Sequence, residues 1–262
     1  MPLTLTREIR FGLYELPETP AGAANGFAGN PRLEGIAPFL TLQARLAGSV
    51  DPSTGMLINI KVVDRVLREL AVPAIRRDHF AGTTAAQILP RLMRLLERKF
   101  DPHGLVSLKL LPSPHLWFLV THKEPAMVRV CLRFEFSAAH RLHAAALSAQ
   151  ANLDVFGRCN NPSGHGHNYE IEVEVAGTPD AQGQVVRLQE LQAAVNRHII
   201  DSFDHKHLNL DCPEFGDDGL NPTVENIAQV LYGRLVPHVP SPARLTALRV
   251  WETPKTMCEF TG

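Results

Sequence analysis

Cys159-Asn160-Asn161-Pro162-Ser163-Gly164-His165-Gly166-His167-Asn168-Tyr169 is the stretch from which the rest of the chain is read. It opens as a turn, because Asn160, Asn161, Pro162, Ser163 and Gly164 are turn formers and Asn and Gly tolerate positive φ. It then becomes a strand. Tyr169-Glu170-Ile171-Glu172-Val173-Glu174-Val175 alternates strictly, apolar at odd positions and acidic at even ones. Side chains two apart on a strand share a face, so His165 and His167 point to the side of Tyr169, Ile171 and Val173, the side expected to be buried. Two adjacent imidazoles on a buried face need a partner. A divalent metal supplies one, and imidazole suits zinc. The alternative is a pair of hydrogen-bonded core histidines.

The composition bounds the rest. The chain has 262 residues, enough for one large domain or two small ones. Apolar residues make up 45% and charged residues 20%, an ordinary soluble composition, and the formal net charge is −1. Nothing in this balance points to nucleic acid or a membrane surface as partner. No apolar run approaches the ~20 residues of a membrane span. The N-terminal stretch lacks the apolar core of a signal peptide. The four cysteines, Cys131, Cys159, Cys212 and Cys258, are scattered with no CxxC. They read as thiols of a reducing compartment, and a cytoplasmic protein is expected.

Outward from the central stretch, the two halves of the chain share one order of elements. In the first half, Arg7 to Leu13 reads as a strand and 17–38 as a Gly- and Pro-rich loop. Phe39 to Ala47 reads as a strand, Asp51-Pro52-Ser53-Thr54-Gly55 as a turn and Met56 to Ile60 as a return strand. Helical spacing follows at Val62, Val63, Val66, Leu67 and Leu70. A second helix follows Thr83-Thr84 with Ile88, Leu89, Leu92, Leu95 and Leu96 in one stripe, and Leu105 to Leu111 and Trp117 to Val120 close as strands.

The second half gives a strand at Cys131 to Ser137, a helical or looping excursion from Ala138 to Pro162, and the strand Tyr169 to Val175. A turn at Asp180 to Gly183 and a return at Val185, Val186 and Leu188 come next. Two helices follow, the second starting at Asn221-Pro222, then strands at Leu245 to Trp251 and Met257 to Phe260. Leu46-Ala47-Gly48 is answered by Val175-Ala176-Gly177, and Gly55 by Gly183, at a near-constant spacing. The expectation is an α+β fold made by tandem duplication of a ββααββ unit, a four-stranded antiparallel sheet with two helices on one face. The boundary falls in the polar stretch Thr121 to Ala126, giving domains 1–124 and 125–262.

The second half resembles the 6-pyruvoyl tetrahydropterin synthase family, of the tunnelling fold. The likeness rests on Phe136-Ser137-Ala138-Ala139-His140-Arg141-Leu142, on Phe156 through Tyr169, on Asp204-His205-Lys206-His207-Leu208, on Thr223-Val224-Glu225-Asn226 and on Trp251-Glu252-Thr253. The first half resembles the family only in Asp51 to Met56. Around Phe11 to Glu15 and Glu34 to Phe39 it has no histidine, and Pro112 stands where Glu252 stands in the second half. The first copy is therefore expected to be catalytically empty.

The resemblance implies a site, residue by residue. His140 becomes the third Zn²⁺ ligand beside His165 and His167, leaving one coordination position open, with His143 as the other candidate. Cys159 resembles the family's general base, its thiol lowered toward neutrality by nearby positive charge. A closed Cys-His₃ structural zinc site is the other reading of Cys159. Asp204 and His205 resemble the pair that works with the cysteine, the carboxylate fixing the imidazole tautomer. Glu252 resembles the pterin anchor, matching two parallel N–H donors. Thr223 adds a bond to the same ring or caps a helix. His207 reads as a bystander, Glu225 has no assigned role, and Arg141, Arg158 and Lys206 lie near the motifs, as triphosphate partners or equally as solvated surface charges.

The implied reaction converts 7,8-dihydroneopterin triphosphate with loss of inorganic triphosphate. The related 6-carboxytetrahydropterin synthases typically have a shorter spacer between the cysteine and His-Gly-His than the five residues Asn160 to Gly164 found here. A non-catalytic zinc or pterin-binding assembly protein is the third reading. Open sheet edges predict closure into barrels, and a homo-oligomer of three or more chains is expected.

Overall fold

Ile9 and Phe11 alternate with Glu8 and Arg10 in β1, Leu3–Gly12, and Leu40, Leu42, Ala44 and Leu46 alternate with polar residues in β2, Phe39–Gly48. The two pair antiparallel with Ile9 opposite Leu42. The structure, a computed structural model, describes residues 3–14, 38–216 and 218–262. Apart from Pro38, the loop expected over 17–38 lies outside the described residues. So do Glu15 and residues 34–37, expected to lack ligands. Two units are distinguished: Met1–Val130 with Ala176–Val185, and Cys131–Val175 with Val186–Gly262.

In the first unit, α1 (Ile60–Val66) runs through a π-helical turn, Leu67–Ala71, into α2 (Val72–Phe80). Pro73 stands at the start of α2, where it offers no N–H to a regular ladder. Helix α3 (Ala85–Leu96) begins with a capping box, Thr84 with Gln87. Strands β3 (Gly104–Ser113) and β4 (Leu116–Thr121) complete the antiparallel order β1-β2-β3-β4. Ile9, Phe11, Leu42, Leu46, Leu67, Ile75, Leu89, Leu92, Phe100 and Leu108 form its core. Full burial of a leucine such as Leu42 contributes about 1.5–3 kcal/mol. The return strand expected over Met56 to Ile60 does not form. The Asp51 carboxylate accepts from the N–H groups of Ser53 and Thr54, and Asn59 caps the helix by accepting from Lys61 N at 2.9 Å. A local turn and a cap thus override a short apolar alternation.

The second unit begins at Cys131, within β5 (Glu124–His140), which extends past the expected end at Ser137, so His140 is its last residue. Helix α4 (Ala149–Phe156) and a 3₁₀ turn, Gly157–Asn160, lead to β6, His165–Gly177. Helix α5 (Leu188–Val195), a π-helical turn at Asn196–Ile200, and α6 (Asp201–Phe203) follow. The expected return at Val185, Val186 and Leu188 is no strand. Val185 and Val186 are buried pegs and Leu188 already belongs to α5. The two-residue strand β7 (Lys206–His207) pairs parallel with β5 at Ala138 and Ala139 and leads into α7, Leu208–Asp211. Helix α8 (Val224–Leu235) starts after Pro222, with Thr223 as its cap rather than proline in its first turn. β8 (Arg244–Thr253) and β9 (Thr256–Phe260) give the order β5-β6-β8-β9.

The odd face of β6 is buried as expected, with Tyr169, Ile171, Val173 and Val175 inaccessible. Its acidic face is covered too. Glu174 is 2% exposed and ion-paired to Arg249, while Glu172 pairs with Arg133 and Arg249.

Candidate metal centre and active site

His140 ends β5, and His165 and His167 begin β6, so strand alternation turns all three rings to one side. Their nitrogen atoms lie within 4.8 Å of one another, a group that could hold a metal ion. His140 is 0% exposed. Its Nδ1 donates to the Pro222 carbonyl at 2.7 Å, and a carbonyl can only accept, so Nε2 carries the lone pair. The Tyr169 hydroxyl stands 3.4 Å from the same Nδ1. His140 Nε2 lies 3.2 Å from His165 Nε2. Ligands on a tetrahedral zinc at its usual ~2.0–2.1 Å bond length stand about 3.3 Å apart. His165 Nδ1 and His167 Nε2 are buried without a hydrogen-bond partner. Such atoms are costly, and a cation among the three rings accounts for His167 Nε2 directly. Donor type, spacing and this orphaned atom all fit Zn²⁺.

Burial above all, then the neighbouring rings of His165, His167 and His207, pull the His140 pKa down to about 4, against the bond to Pro222. The imidazole is neutral near pH 7, as a ligand must be. Glu252 on β8 faces the cluster, with Oε1 3.4 Å from His140 Nε2 and 3.8 Å from His167 Nε2.

Cys159, in the 3₁₀ turn, is free and half-buried. Its carbonyl accepts from Leu142 N at 2.8 Å, which ties the turn to the residues after His140. Burial, then the Glu252 carboxylate, push its thiol above the usual value. The lowered thiol expected from sequence therefore needs a positive charge beyond those the chain supplies. His143 joins Asn160 and Arg141, its Nδ1 3.0 Å from Asn160 Oδ1, and stands outside the three-histidine group.

Asp204 and His205 do form a pair. Asp204 Oδ1 accepts from Ser137 N at 2.8 Å, and Oδ2 lies 2.8 Å from His205 Nδ1. Those bonds, Ser137 first, hold the Asp204 carboxyl below its usual pKa. His205 has a left-handed backbone, φ 56°, and an 82% exposed side chain. With Ser137, Ala139, Asn168 and Lys206 it lines a cavity of about 630 Å³. Ala138, Gly166, His167 and His207 line it as well, so the cavity reaches from His205 to one of the three metal-site histidines. Among the described residues, no hydrogen bond or ion pair joins His205 to Cys159. Thr223 caps α8, its hydroxyl accepting from Asn226 N at 3.4 Å.

Sequence reasoning placed Tyr169 on the histidine face but missed Pro222 and Asn209 as neighbours of the site. Both missed contacts run through main-chain groups, which leave no mark on residue type.

Residues 129–262 match the family model for 6-pyruvoyl tetrahydropterin synthase. A human protein named 6-pyruvoyl tetrahydrobiopterin synthase is 39% identical over 135 residues, 51% of this chain and 91% of that protein. The 6-carboxy-5,6,7,8-tetrahydropterin synthase of Haemophilus influenzae is 26% identical over 51% of this chain and 99% of its own. A solved structure of the Caenorhabditis elegans 6-pyruvoyl tetrahydropterin synthase aligns with 35% identity and a TM-score of 0.49 over 52% of this chain and 96% of that one. No helix of the described residues is long and apolar enough to cross a membrane. By residues 129–262, which carry all three histidines, Cys159 and Glu252, the chain belongs to the 6-pyruvoyl tetrahydropterin synthase family.

Proposed function

We propose that the second unit is a zinc-dependent lyase that converts 7,8-dihydroneopterin triphosphate with elimination of inorganic triphosphate. The observation that carries this reading is the buried group of His140, His165 and His167 with Glu252 facing it and Cys159 in the adjoining turn. The three histidines would hold the Zn²⁺, which supplies Lewis acidity toward the side-chain hydroxyls of the substrate. Pro222 and the strand ends keep the imidazoles aimed. Glu252 accepts the two parallel N–H groups of the pterin edge. Cys159 removes a carbon-bound proton of the side chain as thiolate, and that state calls for the positive charge at the histidine group.

Among the described residues, Asp204 and His205 make no hydrogen bond or ion pair with Cys159 of the same chain. In the family that the second half resembles, sites are shared between subunits, and on this reading His205 relays a proton at the centre of a neighbouring copy. The open sheet edges close into barrels in a homo-oligomer of three or more chains. A monomer in sedimentation at micromolar protein would sink it.

The chain is a tandem duplication in which domain 1–124 is a copy without a metal site and domain 125–262 is the catalytic one. Two features support this. The closing hairpins match residue for residue, Leu108↔Val120 with Leu248↔Phe260 and Leu110↔Phe118 with Val250↔Cys258, and both shift register just before Ser113 and Thr253. Both units also break their first long helix with a π-helical turn. The reading also takes the protein as cytoplasmic, and its four free cysteines support a reducing compartment.

Product analysis after incubation with 7,8-dihydroneopterin triphosphate tests the assignment. Release of triphosphate with a diketo pterin supports it. A 6-carboxy product selects the second reading, which the Haemophilus relative keeps in view. No turnover with zinc bound selects an assembly protein.

A further inference from the structure

The segment after Asp204-His205 reaches back to the metal-holding strands through Asn209. Its side chain makes two opposed bonds with one residue: Arg141 N donates to Asn209 Oδ1 at 2.8 Å, and Asn209 Nδ2 donates to Arg141 O at 3.1 Å. The side-chain amide thus takes up both main-chain groups of Arg141, just beyond the parallel pairing of Ala138 with Lys206 and Ala139 with His207. Arg141 directly follows the buried His140. The next residue, Leu142, gives its N–H to the Cys159 carbonyl. On the other strand, the His207 ring packs against Gly164, just ahead of His165, with Nε2 only 2.5 Å from where a Cβ would stand. The segment itself is braced, since His207 N donates to Asp211 Oδ2 at 2.7 Å.

We propose that Asn209 is a positioning residue of the metal centre. It fixes the main chain of His140, through Arg141, against His165 and His167, and it ties that geometry to the segment that carries Asp204 and His205. The inference rests on the reading of the three histidines as a metal site. Residue type is decisive, because the position needs a donor and an acceptor at once. An amide has both, a carboxylate only acceptors, and alanine neither.

The test is zinc affinity of the full chain by competition with a chromophoric chelator, together with the visible spectrum of the cobalt-substituted protein. Loss of an outer-shell partner lowers metal affinity about 10–100-fold. Asn209→Ala is expected to fall in that range with an altered cobalt spectrum, while unfolding of the metal-free protein stays near wild type. Asn209→Asp, of the same size, keeps the bond from Arg141 N but sets an oxygen against Arg141 O, and is expected to weaken zinc as well. It stands in if the alanine variant fails to fold. Wild-type affinity in both variants, or weaker binding with an unchanged cobalt spectrum, overturns the inference alone. A wild-type chain that binds no zinc overturns the metal reading and this inference together.

Discussion

Gly164→Ala should be among the costliest single-methyl additions in the chain, for two separable reasons. Gly164 has φ +72°, and an L-residue in that region costs about 1–2 kcal/mol. Its added Cβ would also stand 2.5 Å from His207 Nε2 and 3.0 Å from the His140 carbonyl oxygen. The imidazole can turn aside, but the carbonyl belongs to the strand end that carries a buried histidine. Overpacking of this kind costs a further ~1–3 kcal/mol, so the total is about 2–5 kcal/mol. Gly55 separates the two causes. Its φ is +69°, and nothing lies within 4 Å of its Cβ position, so Gly55→Ala should cost only the ~1–2 kcal/mol of backbone strain.

Each unit carries one tryptophan, Trp117 in the first and Trp251 in the second. Urea unfolding followed by fluorescence in Trp117→Phe and Trp251→Phe backgrounds reads the units separately. Adding His207→Ala to Gly164→Ala should return part of the loss, leaving the strain and the carbonyl contact. If Gly164→Ala and Gly55→Ala agree within about 0.5 kcal/mol, the error of such comparisons, the crowding against His140 and His207 is refuted.

Cys159→Ala should keep its zinc and lose turnover by roughly 10²–10⁴-fold, the worth of a positioned general base; loss of the metal instead would mean a closed Cys-His₃ site. Metal analysis should give one zinc per chain, and two per chain, or zinc surviving His165→Ala with His167→Ala, would contradict an empty first unit. The stacked rings of His198 and His238, 3.6 Å apart, bear on pH. Desolvation in the stack, then His238, Arg197 and Arg234, lower the His198 pKa below 6.5. The unfolded chain then binds the extra proton first, so the stabilisation is present above about pH 6.5 and fades as pH falls through that value. His198→Gln should flatten the loss, and an NMR titration placing the His198 pKa above 6.5 would contradict the sign.

How far the sequence could be read depends on where each partner sits. His165 and His167 were legible because their ligand spacing coincides with the strand period, both being two. Cys159 was legible beside a turn that glycine and asparagine announce. His140 needed the family resemblance, since alone it reads as part of the excursion after a strand ending at Ser137, whereas β5 runs on to it. The two return strands failed for one physical reason: a capping Asn59 in one copy, and the start of α5 at Leu188 in the other, outweighed a few alternating apolar residues. Asn209 and Pro222 carry no signal at all, because what they touch is the main chain of Arg141 in one case and, in the other, a ring that meets a carbonyl every residue has.

The acidic face of β6 shows the same limit from the opposite side. Glu170, Glu172 and Glu174 alternate with apolar residues, and that pattern alone reads as a face turned to water. A carboxylate as buried as Glu174 is tolerable only when paired and hydrogen-bonded. Arg249 meets it at 2.9 Å, Thr246 donates to its Oε1 at 2.9 Å, and Arg133 spans Glu170 and Glu172. Each of those partners lies on another strand, so the pairing exists only once β5, β6 and β8 are in register. A one-residue slip of β6 would strand three carboxylates in the apolar layer and lift the two histidines out of it. The charges on one face thus fix the register that brings His165 and His167 to His140 on the other.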